Sequence, residues 1–123
     1  AALIIDYGDW RSQGDTLQAI SDHAMVEPLA APGKSDITAH VDFEAIFKAA
    51  SPAATSRLTT QGVFLERLGI TQRAQILAQQ LTGLPLENHI TAHRRLTHPE
   101  EMGSLFKVIG LASTSASLPE GLK

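Results

Sequence analysis

At 123 residues the chain is long enough for one small domain with a core. Its formal charge of −3 and pI of about 5.9 argue against binding a nucleic-acid backbone, which needs a concentrated basic face. It has no cysteine, which excludes a disulfide framework, a thiol nucleophile and a thiolate metal site.

The first stretch, AALII, runs straight into Asp6-Tyr7-Gly8. A short apolar run with β-branched Ile4 and Ile5 reads as a buried strand of a mostly parallel sheet. In open α/β sheets, ligands sit just beyond the carboxyl ends of strands. Asp6, Tyr7 and Gly8 therefore stand at a candidate site, with a turn ordered by Asp6 as the simpler alternative. A central strand with no lead-in suggests a piece of a larger domain. The run is also too short, and lacks the basic leader, to be a signal peptide. No apolar run approaches the roughly 18–20 residues that cross a membrane.

Residues 9–14 carry turn chemistry around Trp10, which is expected to pack back on the core. Residues 15–24 suit a short helix or strand, with Leu17 and Ile20 three apart. Pro32-Gly33 fits the middle of a type II turn. The interval 9–36 is long for a connection, and such segments are often lids or binding loops.

Asp42 is the expected N-cap of a helix whose apolar face is Phe43, Ile46, Phe47 and Ala50. Ser51-Pro52 ends it. A short strand is expected over 57–60, then a helix with Val63, Phe64 and Leu68 on one face and Gly69 as its C′ residue. Thr71 is the expected N-cap of a helix over 72–81 that aligns Ala74, Leu77 and Leu81. Gly83 and Pro85 break the chain before a third helix over 87–96. Thr97-His98-Pro99-Glu100 reads as a capping box. The run 105–112, LFKVIGLA, is an expected edge or terminal strand, and 113–123 a loose end. The order is α/β, with few strands for a complete sheet.

Reactive side chains concentrate between Asp6 and Asp42. The stretch 36–42 alternates polar and apolar residues, so an extended chain would put Asp36, Thr38, His40 and Asp42 on one face. A hydrogen-bonding wall for a polar substrate fits this better than a metal site, because the spacing is no ligand signature. The simplest reading has Asp42 capping a helix, Asp36 a turn, and His40 part-buried. No GxSxG, GxxxxGK[ST] or GxGxxG occurs, and every glycine is isolated.

Five spaced motifs carry a resemblance: IIDYG, GDTLQA, PG..DITAHVDF, TTQGVFL.RLGI and MGSLFKVIGL. Together they resemble the C-terminal half of the MidA-like, S-adenosylmethionine-dependent methyltransferases, a family that includes a mitochondrial complex I assembly factor that methylates an arginine. The resemblance implies an α/β fold: the C-terminal portion of a Rossmann-like class I methyltransferase sheet with a helical insertion. Residues 1–123 would be part of a single methyltransferase domain. The strand ending at Gly8 would be about the fifth, and the strands near 57–60 and 105–112 the last two. Residues 9–42 would form an insertion on the substrate side of the active site.

The family's glycine-rich cofactor loop and ribose-binding acid would precede residue 1, so the resemblance assigns S-adenosylmethionine to the longer protein and no cofactor-binding residue to this chain. Matching by position, it implies Asp6, Tyr7, Asp36, His40 and Asp42 as catalytic, and Gly8, Asp15, His23, Thr38 and Gln61 as substrate-binding. Two positions depart from the family's form: Asp9 stands where a histidine or aromatic is common, and Glu27 where Asp precedes the proline. The implied activity is protein arginine N-methylation linked to complex I assembly, in the bacterial cytoplasm or the mitochondrial matrix. The implied partner is a protein substrate, with a homodimer possible and neither nucleic acid nor membrane insertion expected. The alternative is a non-catalytic binding or assembly module, gripping its partner through Trp10, Leu29 and Ile37.

Overall fold

The computed structural model describes Ala1–Lys123. The larger of two sheets is mixed. Strand β1 (Ala2–Asp9) lies antiparallel to β8 (Phe106–Ala112), in register from Ala2↔Leu111 to Tyr7↔Phe106. On its other flank β8 pairs antiparallel with β6 (Ala54–Thr55) and β7 (Thr59–Thr60). A short strand β5 (Val41–Asp42) pairs parallel with β1, only at Gly8 and Asp9.

The 105–112 run is thus central, not the expected edge strand. It is apolar on both faces, and Val108 and Ile109 are both fully buried. The β1 strand, expected to be buried in a mostly parallel sheet, has an antiparallel main partner and stays open. Leu3 is 44% and Ile5 41% exposed. They lie opposite Gly110 and Val108, on the face where Val108 clusters with Phe64 and Leu122. That cluster covers β8 but leaves β1 bare, and the outer edge of β1 from Ala2 to Asp6 has no strand beside it.

The tail corrects another expectation. Residues 113–117 are exposed, but the end of the tail docks: Leu122 is buried against Phe64 and Val108. A Cβ at Gly110 would meet the Leu122 Cδ1 at 2.8 Å, so the glycine makes room for the tail.

Helices α2 (Gln61–Arg67) and α5 (Met102–Leu105) pack on β7 and β8. Helix α2 ends at Gly69, φ 82°, as its C′ residue. The next helix, α3 (Ile70–Ala78), starts at Gly69 itself, so Thr71 is inside it rather than its cap. The Thr71 hydroxyl is used between helices instead: it donates to Glu66 Oε1 at 2.5 Å and lies 2.9 Å from His93 Nε2. Helix α4 (Gly83–Thr97) begins at Gly83, so the expected break lies in its first turn. Pro85 falls in its first turn, where the missing N–H is not needed. The capping box does not form, because Thr97 is still helical and donates to His93 O at 2.9 Å.

The insertion is β, not helical. Strands β2 (Gln18–Ser21), β3 (Ala24–Val26) and β4 (Asp36–Thr38) form an antiparallel sheet in the order β3-β2-β4. Asp22 and His23, with φ 48° and 63°, make the two-residue hairpin between β2 and β3. Around Pro32-Gly33, Lys34 N donates to Ala31 O at 3.0 Å, closing the expected turn. Helix α1 (Phe43–Ala49) follows, and Asp42 Oδ1 accepts from Ala45 N at 2.9 Å as its N-cap. The α/β class holds, with a mixed sheet flanked by helices. No helix is long and apolar enough to cross a membrane.

Candidate functional site at the carboxyl end of the first strand

The candidate residues converge where β1 leaves the sheet. Tyr7 and Phe106 are cross-strand partners, and their rings meet edge-on at 5.6 Å and 87°. His40, just before β5, meets the other side of Tyr7 at 5.8 Å and 79°. Both contacts are edge-to-face, the geometry favoured by ring quadrupoles. The Tyr7 ring is thus held from two sides, while His40 is exposed. Phe106 was not singled out from the sequence. Its signal is only that a strand run opens with Leu-Phe, which names no partner.

Gly8 fixes how closely β1 and β5 approach. A Cβ there would lie 2.2 Å from Val41 O and 2.8 Å from Val41 N. Only a glycine lets this two-residue ladder form, and the ladder sets His40 and Asp42 beside Tyr7 and Asp9. The insertion is tied to the same point, because His40 N donates to Thr16 Oγ1 at 3.1 Å.

Asp6 lies on the opposite face of β1 from Tyr7, as strand alternation requires. Its Oδ1 accepts from Tyr7 N at 2.8 Å. Its cross-strand partner is Lys107, whose ammonium donates to Ser104 O at 2.7 Å. Behind the site, Trp10 packs on Phe47 at 5.5 Å, and Glu44 N donates to Trp10 O at 2.8 Å. Glu44 also takes a two-pronged bond from Arg11 (2.8 and 3.0 Å) and an ion pair from Lys48 at 3.0 Å. These bonds hold its carboxyl down to about 2, well below the usual range, and push the Arg11 guanidinium up.

The face expected from 36–42 is divided. Asp36 and Thr38 belong to the insertion's sheet, whereas Val41 and Asp42 join β1, and the chain changes sheets at Ala39-His40. Asp36 and His23 border a separate concavity of about 280 Å³ with Ser21, Asp22 and Lys34. Thr38 is paired with Gln18, and Asp15 Oδ1 accepts from Leu17 N at 3.0 Å at the insertion's base. Gln61 is in the helical layer, buried, with Nε2 donating to Leu96 O at 2.9 Å. The chain therefore brings together Tyr7, Gly8, His40 and Asp42, with Asp6 adjoining, and leaves Asp36, His23 and Gln61 apart. None of the five main cavities, 240–560 Å³, is lined by Asp6, Tyr7, Gly8 or His40. The site is a wall, not an enclosed pocket.

The mixed sheet flanked by helices matches a Rossmann-like architecture seen in solved structures. The whole fold is shared with a crystal structure of an uncharacterized protein from Burkholderia thailandensis, at 31% identity and a TM-score of 0.73 over 98% of this chain and 33% of that one. A second structure from the same organism, solved bound to S-adenosyl-homocysteine, matches with TM-score 0.73 and 30% identity, over 98% of this chain and 32% of its own. Residues 1–63 match the profile of a family described as "Putative S-adenosyl-L-methionine-dependent methyltransferase". The chain belongs to this family, the MidA-like group whose motifs it shares. Its relatives include the protein arginine methyltransferase NDUFAF7 homolog, mitochondrial, of Drosophila melanogaster, 34% identical over 89% of this chain, and the Homo sapiens NDUFAF7, 31% identical over 90%. The chain spans about a quarter of the length of these relatives, 26% in each case.

Proposed function

We propose that this chain is the C-terminal part of a single methyltransferase domain and supplies one wall of an active site that methylates an arginine of a protein substrate. The observation that carries this is the Tyr7–His40–Phe106 cluster at the carboxyl end of β1 in a chain of methyltransferase family and fold. The bare outer edge of β1, and the exposure of Leu3 and Ile5 there, support a sheet that continues into further strands carrying the cofactor's glycine-rich loop. S-adenosylmethionine, when bound, supplies an electrophilic methyl on a sulfonium.

The residues here suit the acceptor side. A guanidinium must be held in line behind the methyl. The rings of Tyr7 and His40 suit a cation on their own face of β1, and the Asp6 carboxylate has the charge to pair with one at the strand's opposite face. On taking the methyl the nitrogen would shed one proton to solvent, and a carboxylate would stabilise the positive charge that builds before the proton leaves, so a strong base is less critical. Asp42 acts through position, by capping α1 and holding His40 beside Tyr7. Asp15, Thr38, Asp36 and His23 belong to residues 9–42, the substrate-side insertion in this reading. The setting that the family resemblance implies is assembly of respiratory complex I, in the mitochondrial matrix or the bacterial cytoplasm.

The test is transfer of a labelled methyl group by the full-length protein to arginine-containing peptides. Asp6→Asn is expected to lower kcat by about 10²–10³, the cost of removing one preorganised charge, with Tyr7→Phe and His40→Ala lowering it less. Absence of transfer, or all three variants within twofold of wild type, refutes the assignment. The second reading is a non-catalytic binding module, favoured by Leu29 at 82% and Met25 at 64% exposure on the insertion. Labelled methyl transfer by the intact protein removes it.

A further inference from the structure

We propose that the outer edge of β4 is the docking site for an extended, basic segment of the substrate protein, which adds there as a fourth strand of the insertion's sheet. This rests on the methyl-transfer reading above and deepens it by placing the substrate.

In the order β3-β2-β4, the strand Asp36–Thr38 pairs with β2 on one side only. Its other side offers backbone N–H and C=O groups without a strand partner. Such an edge is a template for a further strand unless blunted by shortness, charge, proline, a bulge or a cover; β4 is three residues long and carries one charge, Asp36, which a basic strand would meet. No proline lies within β4, and Ile37 at its centre is 57% exposed. The β3 edge is the poorer template, because it runs at once into Glu27-Pro28, where an N–H is missing.

Charge selects the occupant. Residues 9–42 hold six carboxylates against only Arg11 and Lys34, a formal charge of −4. Arg11 is engaged by Glu44, and Asp9, Asp15 and Asp42 accept from nearby backbone N–H groups. The carboxylates of Asp22, Glu27 and Asp36 accept no hydrogen bond from the chain, so with Lys34 as the one unpaired cation the free charge here is acidic; Ile20 and Met25 are exposed on one face of the sheet and Ile37 on the other. A strand alternating basic and apolar residues complements both features. A second copy of the chain does not, since β4 against β4 would bring two acidic surfaces together.

The edge also leads to the site. His40, two residues after Thr38, is against Tyr7. A segment laid along β4 therefore runs out beside the cluster proposed to receive an arginine, and strand addition would set the register with which that arginine arrives.

The experiment uses the full-length protein and a fluorescein-labelled nine-residue peptide of alternating Arg and Val, read by anisotropy at low salt. Two counterparts serve as controls: Glu in place of Arg, and every central amide N-methylated. Binding of the Arg-Val peptide is expected, weakened at least tenfold by N-methylation and at least fivefold by Ile37→Lys, and absent for the Glu peptide. Circular dichroism checks that Ile37→Lys folds, and the N-methylated peptide tests the mode on unaltered protein. Equal binding of the N-methylated peptide overturns the proposal. So does self-association that Ile37→Lys abolishes, which gives the edge to a second copy. An Ile37→Cys thiol that stays unreactive without peptide also overturns it, because the protein itself then covers the edge. Methyl transfer is scored on the same peptides. N-methylation-sensitive binding without transfer removes the catalytic reading and keeps the docking edge. Transfer indifferent to N-methylation and to Ile37→Lys removes the docking edge and keeps catalysis.

Discussion

Gly8→Ala tests whether the site depends on the contact between β1 and β5. The new Cβ would stand 2.2 Å from Val41 O, and normal carbon–oxygen contact begins at about 3.3 Å. About 1 Å must be found, and both groups are backbone, so no side-chain rotation can supply it. The ladder at Gly8↔Val41 has to open, carrying His40 and Asp42 away from Tyr7. Overpacking of this kind costs about 1–3 kcal/mol, and losing a ladder hydrogen bond adds roughly 1 kcal/mol. A total of about 2–4 kcal/mol lowers Tm, by less in the full-length protein than the roughly 2–4 °C per kcal/mol of a 150–250-residue domain. Gly14→Ala is the control: Gly14 has φ 80° but nothing within 4 Å of a Cβ, so only the left-handed backbone cost of about 1–2 kcal/mol applies. Calorimetry of both variants in the full-length protein, with methyl transfer measured alongside, decides the matter. If Gly8→Ala melts with Gly14→Ala and keeps its activity within twofold, the close approach does not build the site.

The Glu44 carboxylate, held down to about 2 from an ordinary 4.5, stabilises the fold above pH 4.5, and that stabilisation is lost as pH falls from 4.5 toward 2. Glu44→Gln should flatten the rise of Tm with pH inside that window, and an unchanged slope would show that the Arg11 and Lys48 bonds do not persist in solution. Ser56 is buried, donates to Arg57 O at 3.0 Å and accepts from Gly110 N at 2.9 Å. Ser56→Ala leaves that buried N–H unpaired, and urea unfolding should read a loss of about 1–3 kcal/mol. Leu122→Ala should cost about 2–5 kcal/mol by the same measure, because it empties the cluster with Phe64 and Val108. A cost below 0.5 kcal/mol would mean that the tail is not docked.

What the sequence made legible was local. Asp42 as a cap, Gly69 as a C′ residue and the turn at Pro32-Gly33 are each decided by one or two neighbouring residues, and each stands in the structure. At the misread positions a competing use of the residue won over the expected one. Thr71 has the chemistry of an N-cap, but Glu66 and His93 take its hydroxyl. Thr97 and Glu100 have capping-box spacing, but α4 runs through Thr97. The hairpin at Asp22-His23 lacks the glycine that marks such turns and takes positive φ at both residues, which Asp and His tolerate better than most. Strand order was equally hidden, since nothing in LFKVIGLA says that it pairs on both sides.

The candidate site divides along the same line. The apolar run ends at Ile5 but the strand does not: β1 continues to Asp9, so Asp6, Tyr7 and Gly8 lie within its last half and are paired there. Assembly of Tyr7 with His40 and Phe106 spans nearly a hundred positions and depends on two ladders, β1–β8 and β1–β5, that no periodicity announces. Alternation within 36–42 is real but passes between two sheets, so the expected common face is divided. Asp36, Ile37 and Thr38 stayed on the insertion's open edge, and Val41 and Asp42 went to the wall beside Tyr7. That division gives the insertion a physical role in the proposed chemistry. An open acidic strand is continuous, through His40, with the ring cluster where a guanidinium would be held, so grip and acceptor site are joined by one short piece of backbone.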